Sequence, residues 1–180
     1  SNYFSLRKRI NDISVQLSDS TIKNKIGLIE DNNLKDFTLR IHNEYKINSK
    51  QSIEFGAQLT KNEVDYNYSI NDTITVIAQK DKGLLSTIYL QDKWSPTEKL
   101  NVIGGIRATH FDLEDKVFFE PRLSLSYQLN NQIKLKGAWG KYYQFVNRIV
   151  REDVSQGSRD FWLLANGKNS PISFSEHLII

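Results

Sequence analysis

Period-two alternation over long runs, joined by connections that are tight and extended in turn, constrains this chain more than any other feature. The clearest run is Phe119 to Gln144. Phe119, Pro121, Leu123, Leu125, Tyr127 and Leu129 alternate with Glu120, Arg122, Ser124, Ser126 and Gln128. Beyond Asn130-Asn131, Ile133, Leu135, Gly137 and Trp139 alternate with Gln132, Lys134, Lys136 and Ala138. Successive strand side chains point to opposite faces, so each run carries one apolar and one polar face.

The same rhythm recurs. Phe37, Leu39, Ile41, Asn43, Tyr45 and Ile47 oppose Thr38, Arg40, His42, Glu44 and Lys46. Ile53, Phe55, Ala57 and Leu59 oppose Glu54, Gly56, Gln58 and Thr60. Leu84, Ser86, Ile88, Leu90 and Trp94 alternate with Thr87, Tyr89, Gln91 and Lys93. Leu100, Val102, Gly104, Ile106 and Ala108 oppose Asn101, Arg107 and Thr109. Near the start, Ile13, Val15 and Leu17 alternate with Ser14 and Gln16, while Leu6 and Ile10 are out of phase. A turn or bulge at Asn11-Asp12 accounts for the slip, since a one-residue shift exchanges the faces.

Connection lengths then fix the topology. Ser18 to Lys35 is long, Asn48 to Gln51 short, Asn67 to Gly83 long, and Ser95 to Lys99 short with Pro96 at the second turn position. Asp112 to Val117 is intermediate, Asn130-Asn131 minimal, and Phe145 to Ser175 very long. In an up-and-down meander this puts the tight turns on one edge and the long connections on the other. Outer-membrane barrels have that asymmetry, with short periplasmic turns and longer extracellular loops. The runs also match the roughly 9–11 residues of a tilted membrane-crossing strand rather than the roughly 5–6 of an ordinary one. Lipid forbids an open sheet edge, so such a sheet must close on itself. The expected fold is therefore all-β, an antiparallel up-and-down meander forming a sector of a large transmembrane β-barrel, with about eight strands present.

Composition agrees. The chain has 24 basic and 21 acidic residues, a net +3 without a clustered basic footprint, so no nucleic-acid partner is expected. Arg7-Lys8-Arg9 reads as a strand end or solvated loop. With no Cys, disulfides and Cys-based metal or redox sites are excluded. No run of 18 apolar residues exists, and the mean hydropathy of −0.49 suits a barrel whose lumen-facing positions are polar. Met is absent, and the chain opens on Ser1-Asn2-Tyr3 and ends on the apolar Leu178-Ile179-Ile180, which together read as a fragment of a longer protein. Tyr45, Trp94 and Tyr127 near the tight turns, and Phe111, Phe119 and Tyr143 towards the long connections, suggest two aromatic girdles. Asp92 is the discordant residue, a carboxylate on the apolar face near a turn.

Phe119-Glu-Pro-Arg-Leu-Ser-Leu-Ser-Tyr127, two Asn, and Leu135-Lys-Gly-Ala-Trp-Gly-Lys-Tyr-Tyr-Gln144 together resemble a recurrent hairpin of TonB-dependent receptor barrels. Ile88 to Pro96 followed by Leu100 to Arg107 resembles that family's strand pair around a periplasmic turn, and Ser170 to Ile179 its return from a long loop. The resemblance runs from about Phe37 onward. It implies a Gram-negative outer-membrane receptor of about 22 strands, plugged by an N-terminal domain, that binds a scarce nutrient outside and imports it with force transmitted by TonB. Siderophore, cobalamin, haem and oligosaccharide classes all remain open as cargo. On this reading residues 1–180 are a partial transmembrane β-barrel, without the plug domain and TonB box. Its partners are outer-membrane lipid, the receptor's own plug, the TonB system and an extracellular ligand.

No enzyme is expected. His42, His110 and His177 have no ligand partner at helical spacing, and none lies in a nucleophile turn. His42, between Arg40 and Glu44, reads as a member of a polar network. Gly104-Gly105 lacks the Lys and helix start of a phosphate loop and reads as a strand bend. Asp112, Glu114 and Asp115 read as a solvated acidic turn before a cation site. No cofactor or metal is called for. Candidate ligand contacts are Tyr142 and Tyr143, leading into the long connection, and Arg148, Arg151, Arg159 and Trp162 within it, beside Phe161 and Lys168. Arg forks grip carboxylate or phosphate, and Trp offers a stacking face. Packing of that connection against its neighbours is the weightier alternative for the same residues. At the level of the whole chain, the runner-up is a small closed eight-stranded barrel acting as anchor, adhesin or structural protein, filled by Arg40, Glu44, Glu54, Lys93, Arg107, Glu120, Arg122, Lys134 and Lys136. A soluble sandwich ranks third.

Overall fold

The computed structural model describes residues 2–10, 27–70, 74–153, 157–167 and 170–180. The alternation at Ile13 to Leu17 and the turn expected at Asn11-Asp12 lie outside the described residues. Every described element is a strand: β1 (Asn2–Ile10), β2 (Leu28–Asn48), β3 (Gln51–Ile70), β4 (Ile74–Thr97), β5 (Leu100–Phe111), β6 (Lys116–Gln128), β7 (Lys134–Gln144), β8 (Val146–Asp153), β9 (Gly157–Leu164) and β10 (Ser173–Ile179). The main sheet has eight strands in the order β1-β2-β3-β4-β5-β6-β7-β10, and β8 and β9 form a two-stranded sheet of their own. β1 and β10 end that order and share no pairing among the described residues. A closed eight-stranded barrel pairs its first strand with its last, so the small-barrel alternative is not realised; the sheet is open.

Registers place the apolar residues on one face. Ile88 pairs with Ala108, which pairs with Phe119; Trp94 pairs with Val102, which pairs with Leu125. Tyr127 then pairs with Leu135, and Leu123 with Trp139. This face is uncovered: Phe37, Ile41, Ile88 and Leu135 are all more than half exposed. The buried hydrophobic set among the described residues is only Ile29, Val64, Phe111, Leu164 and Ala165. A sandwich would bury that apolar face under a second sheet, and no such layer exists among the described residues. Aromatics mark its limits. Phe37 and Tyr45 on β2, and Phe119 and Tyr127 on β6, bracket spans of eight residues, or about 26 Å at the usual strand rise, close to the apolar band of an outer-membrane barrel at about 25 Å. Phe111 departs from the expected girdle. It is fully buried and packs on Phe145 at 5.0 Å.

Two turns differ from the local expectation. β4 continues through Pro96 to Thr97, and the register shifts between Trp94 and Thr97. The turn is therefore at Glu98-Lys99, where the Thr97 hydroxyl accepts the Leu100 N–H at 3.1 Å. A bulge tolerates Pro because one residue there leaves the ladder. Asn130-Asn131 does not form a two-residue hairpin turn. Such turns need positive φ at the first or at both central residues, and among described non-glycine residues Asp115 alone has positive φ. Asn130 Oδ1 instead accepts the N–H groups of Gln132 and Ile133 at 2.9 and 2.8 Å, widening the loop to 129–133. In the acidic turn, Asp112 Oδ1 accepts the Leu84 N–H at 2.8 Å, Asp115 meets His110 at 3.0 Å, and Glu114 meets Lys116 at 3.3 Å. On the apolar face Asp92 Oδ2 accepts Gln51 Nε2 at 2.9 Å and the residue pairs opposite side-chain-free Gly104, while its Oδ1 is buried without a partner among the described residues.

Of the connections that alternation marks as long, 67–83 is mostly strand, and the described part of 18–35 is strand from Leu28 onward. β2 begins at Leu28, β3 runs to Ile70, and β4 resumes at Ile74. At 20–24 residues, these strands reach roughly 65–80 Å, well beyond the roughly 30 Å hydrocarbon layer.

The chain divides into two compact units: one of residues 1–37, 62–82 and 146–164, the other of 38–61, 83–145 and 165–180. In the first, ion pairs Lys80–Asp65 (3.2 Å) and Lys82–Glu63 (3.6 Å) tie β4 to β3. There the buried Asn32 amide clasps the β9 backbone, accepting the Trp162 N–H at 2.7 Å and donating to the Trp162 carbonyl at 3.2 Å. Phe161 packs on Tyr66 at 5.6 Å, and Tyr66 donates to Glu30 at 2.8 Å. Asn32→Leu leaves both Trp162 backbone groups without this partner. The expected loss is about 1–3 kcal/mol, read as faster amide hydrogen exchange across β8 and β9 in the intact protein; unchanged exchange would refute the clasp.

Candidate functional site

The polar face of the second unit is a network rather than a row of solvated side chains. Tyr89 stands at its centre. Its hydroxyl lies 2.7 Å from His42 Nδ1 and accepts Arg40 Nη2 at 3.2 Å. The Arg40 and Arg107 guanidiniums both sit over its ring, at 5.2 and 5.7 Å from the centroid, a cation–π arrangement. Gly56 makes room for the ring. A Cβ at position 56 would fall 2.5 Å from the Tyr89 hydroxyl.

Two carboxylates are shared among the remaining cations. Glu54 binds Lys93 through Oε1 and accepts Gln91 Nε2 through Oε2 at 3.0 Å. Glu120 is buried; its Oε2 lies 3.9 Å from Arg107 and 3.3 Å from Arg122, and its Oε1 accepts the Tyr143 N–H at 2.9 Å. A buried carboxylate costs heavily unless paired, and both Glu120 oxygens are engaged. Arg122 stacks on Tyr142 at 4.6 Å. Thr87 and Thr109, register partners, join hydroxyls at 3.0 Å, and Thr38 and Thr60 at 3.1 Å. Arg40, His42, Glu54, Tyr89, Gln91, Arg107 and Arg122 thus wall one polar depression.

The expected ligand contacts fall in both units. Tyr142 belongs to the polar network, with His177 edge-on at 5.4 Å. Tyr143, its neighbour on the strand, packs between Phe118 at 5.0 Å and Phe174 at 5.2 Å. The other four lie in the first unit, where the connection from Phe145 to Ser175 contains the β8–β9 hairpin instead of running as open loop. Arg148 is the register partner of Trp162, and Arg151 of Arg159. The side chains of Arg151 and Arg159 and the whole of Lys168 lie outside what the structure describes. Arg148 is exposed, whereas Trp162 is half-buried and held through its backbone by Asn32. His42 is the network member expected, though its partner is Tyr89 on β4. The Tyr89 centre is what sequence reasoning missed. Its one signal was a large aromatic in a polar-face series facing a strand that carries Gly56.

An open antiparallel meander of long strands, with one face apolar and uncovered and the other a connected polar network, defines a sector of a transmembrane β-barrel wall. The TonB-dependent receptor-like β-barrel family model matches residues 2–157. The chain belongs to that family of outer-membrane receptor barrels. No curated protein matches it significantly.

Proposed function

We propose that the chain is part of an outer-membrane receptor that binds a scarce nutrient from outside and imports it with energy transmitted by TonB. The cargo falls in the siderophore, cobalamin, haem or oligosaccharide class. Residues 1–180 are the partial barrel, and the plug domain and TonB-contacting segment belong to other parts of the same polypeptide. The observation that carries this reading is the uncovered apolar face on an open sheet of family-matched strands. Tyr142, Tyr143, Arg148, Arg151, Arg159 and Trp162 contribute ligand contacts; the register pairing of Arg148 with Trp162 supports it by setting a cation beside an aromatic face.

The test is uptake of labelled ferric siderophore, cobalamin, haem and oligosaccharide probes by cells carrying the intact receptor or a deletion. Deleting the receptor is expected to abolish uptake of one class, and loss of TonB the same class. Trp162→Ala with Arg159→Ala is expected to weaken that uptake about tenfold, the effect of losing one strong contact. Uptake of all four classes unaffected by the deletion would refute import; an unaffected double variant would return the hairpin to a packing role.

A further inference from the structure

We propose that the depression between Arg40, Arg107 and Arg122 on the polar face binds an oxyanion, a carboxylate or phosphate carried by a small solute. Around Tyr89 the local charges do not balance. Among the described residues, Arg40, Lys93, Arg107 and Arg122 face Glu44, Glu54 and Glu120, four cations against three carboxylates. Glu54 is engaged by Lys93 and Gln91, and Glu120 by two guanidiniums and a backbone N–H. Glu44, further along the face, acts on Lys93. Among the described residues Arg40 has no carboxylate partner. Its contacts are the Tyr89 hydroxyl and ring.

Guanidiniums so placed repel one another, and an anion held between them would relieve that repulsion. Arg presents a planar donor fork that matches carboxylate and phosphate oxygens. Arg40 and Arg107 over one ring bring two forks to one side of the wall. His42 and Tyr89 add further hydrogen-bonding atoms beside them, and Gly56 leaves room for the ring. Sugar hydroxyls or a neutral amide would leave the charge excess standing, so the chemistry selects an anion. This deepens the import reading by naming the charge of the cargo, but the site itself is read independently of transport.

The intact receptor, purified in detergent, is titrated calorimetrically with citrate and with inorganic phosphate at low ionic strength. Citrate is expected to bind saturably, to compete with phosphate, and to weaken as salt rises, because the pairs are partly exposed and screened. Arg40→Gln breaks no ion pair and is expected to raise the citrate Kd at least about tenfold. Arg40→Lys, which keeps the charge and loses the fork, should fall between. Lys134→Gln, on the same face outside the depression, should change nothing. No saturable binding of either anion, or an unchanged Kd in Arg40→Gln, overturns the site. Anion binding by a receptor that imports none of the four probe classes would keep the site and sink the import reading; import without anion binding would do the reverse.

Discussion

Leu123→Arg is expected to lower the stability of the intact receptor in lipid vesicles by about 2–4 kcal/mol, the measured scale for a cation on the lipid face near mid-depth of a barrel. Leu123 sits midway along the apolar series of β6, between register partners Gly104 and Trp139, and is 42 % exposed. Because nothing among the described residues covers that face, lipid is the solvent the guanidinium would enter. The adjacent position supplies the control. Ser124, between Ile103 and Ala138, faces the polar side, and Ser124→Arg should stay within about 0.5 kcal/mol. Denaturant midpoints of both variants decide the matter. Equal losses would mean that the two faces meet the same medium, and the membrane assignment would fail.

Gly56→Ala is the second large effect. The added Cβ would lie 2.2 Å from the Ile41 carbonyl oxygen and 2.5 Å from the Tyr89 hydroxyl. One contact is with backbone, so rotamer changes cannot relieve it, and close-packed structure yields by shifting. The expected loss is about 1–3 kcal/mol. Tyr89→Ser should offset only the ring's share, giving a coupling of about 0.5–3 kcal/mol in a double-mutant cycle. A stability loss that is purely additive would show that Tyr89 does not lie across Gly56. The same substitution should also raise the citrate Kd, because the ring positions Arg40.

Legibility followed physical cause. Faces were readable wherever one side of a strand is apolar: Ile88, Phe119 and Leu125 emerge together because parity alone assigns them. The outer parts of β3 and β4 were harder to read. On β3, Val64, Tyr66 and Tyr68 do alternate with Glu63, Asp65 and Asn67, but on β4 the run Lys80-Asp81-Lys82 interrupts the period, and ion pairs from Lys80 and Lys82 to Asp65 and Glu63 tie the two segments together. The β8–β9 hairpin escaped for a related reason, since Val-Asn-Arg-Ile-Val-Arg-Glu-Asp mixes charge and apolar residues without strict alternation. Asn130-Asn131 misled because Asn can take positive φ or accept hydrogen bonds through its side chain, and only the structure shows that it does the second.

By itself the sequence determined the class of wall, which residues meet lipid, and which edge carries the tight turns, because these depend on a two-residue period and on connection lengths. The tertiary structure decided who meets whom across the sheet. Asn32 reaches Trp162 at a separation of 130 residues, and His42 reaches Tyr89 at 47. Such encounters are set by the stagger of strands against one another, a property of the assembled ladder that no single strand's pattern encodes.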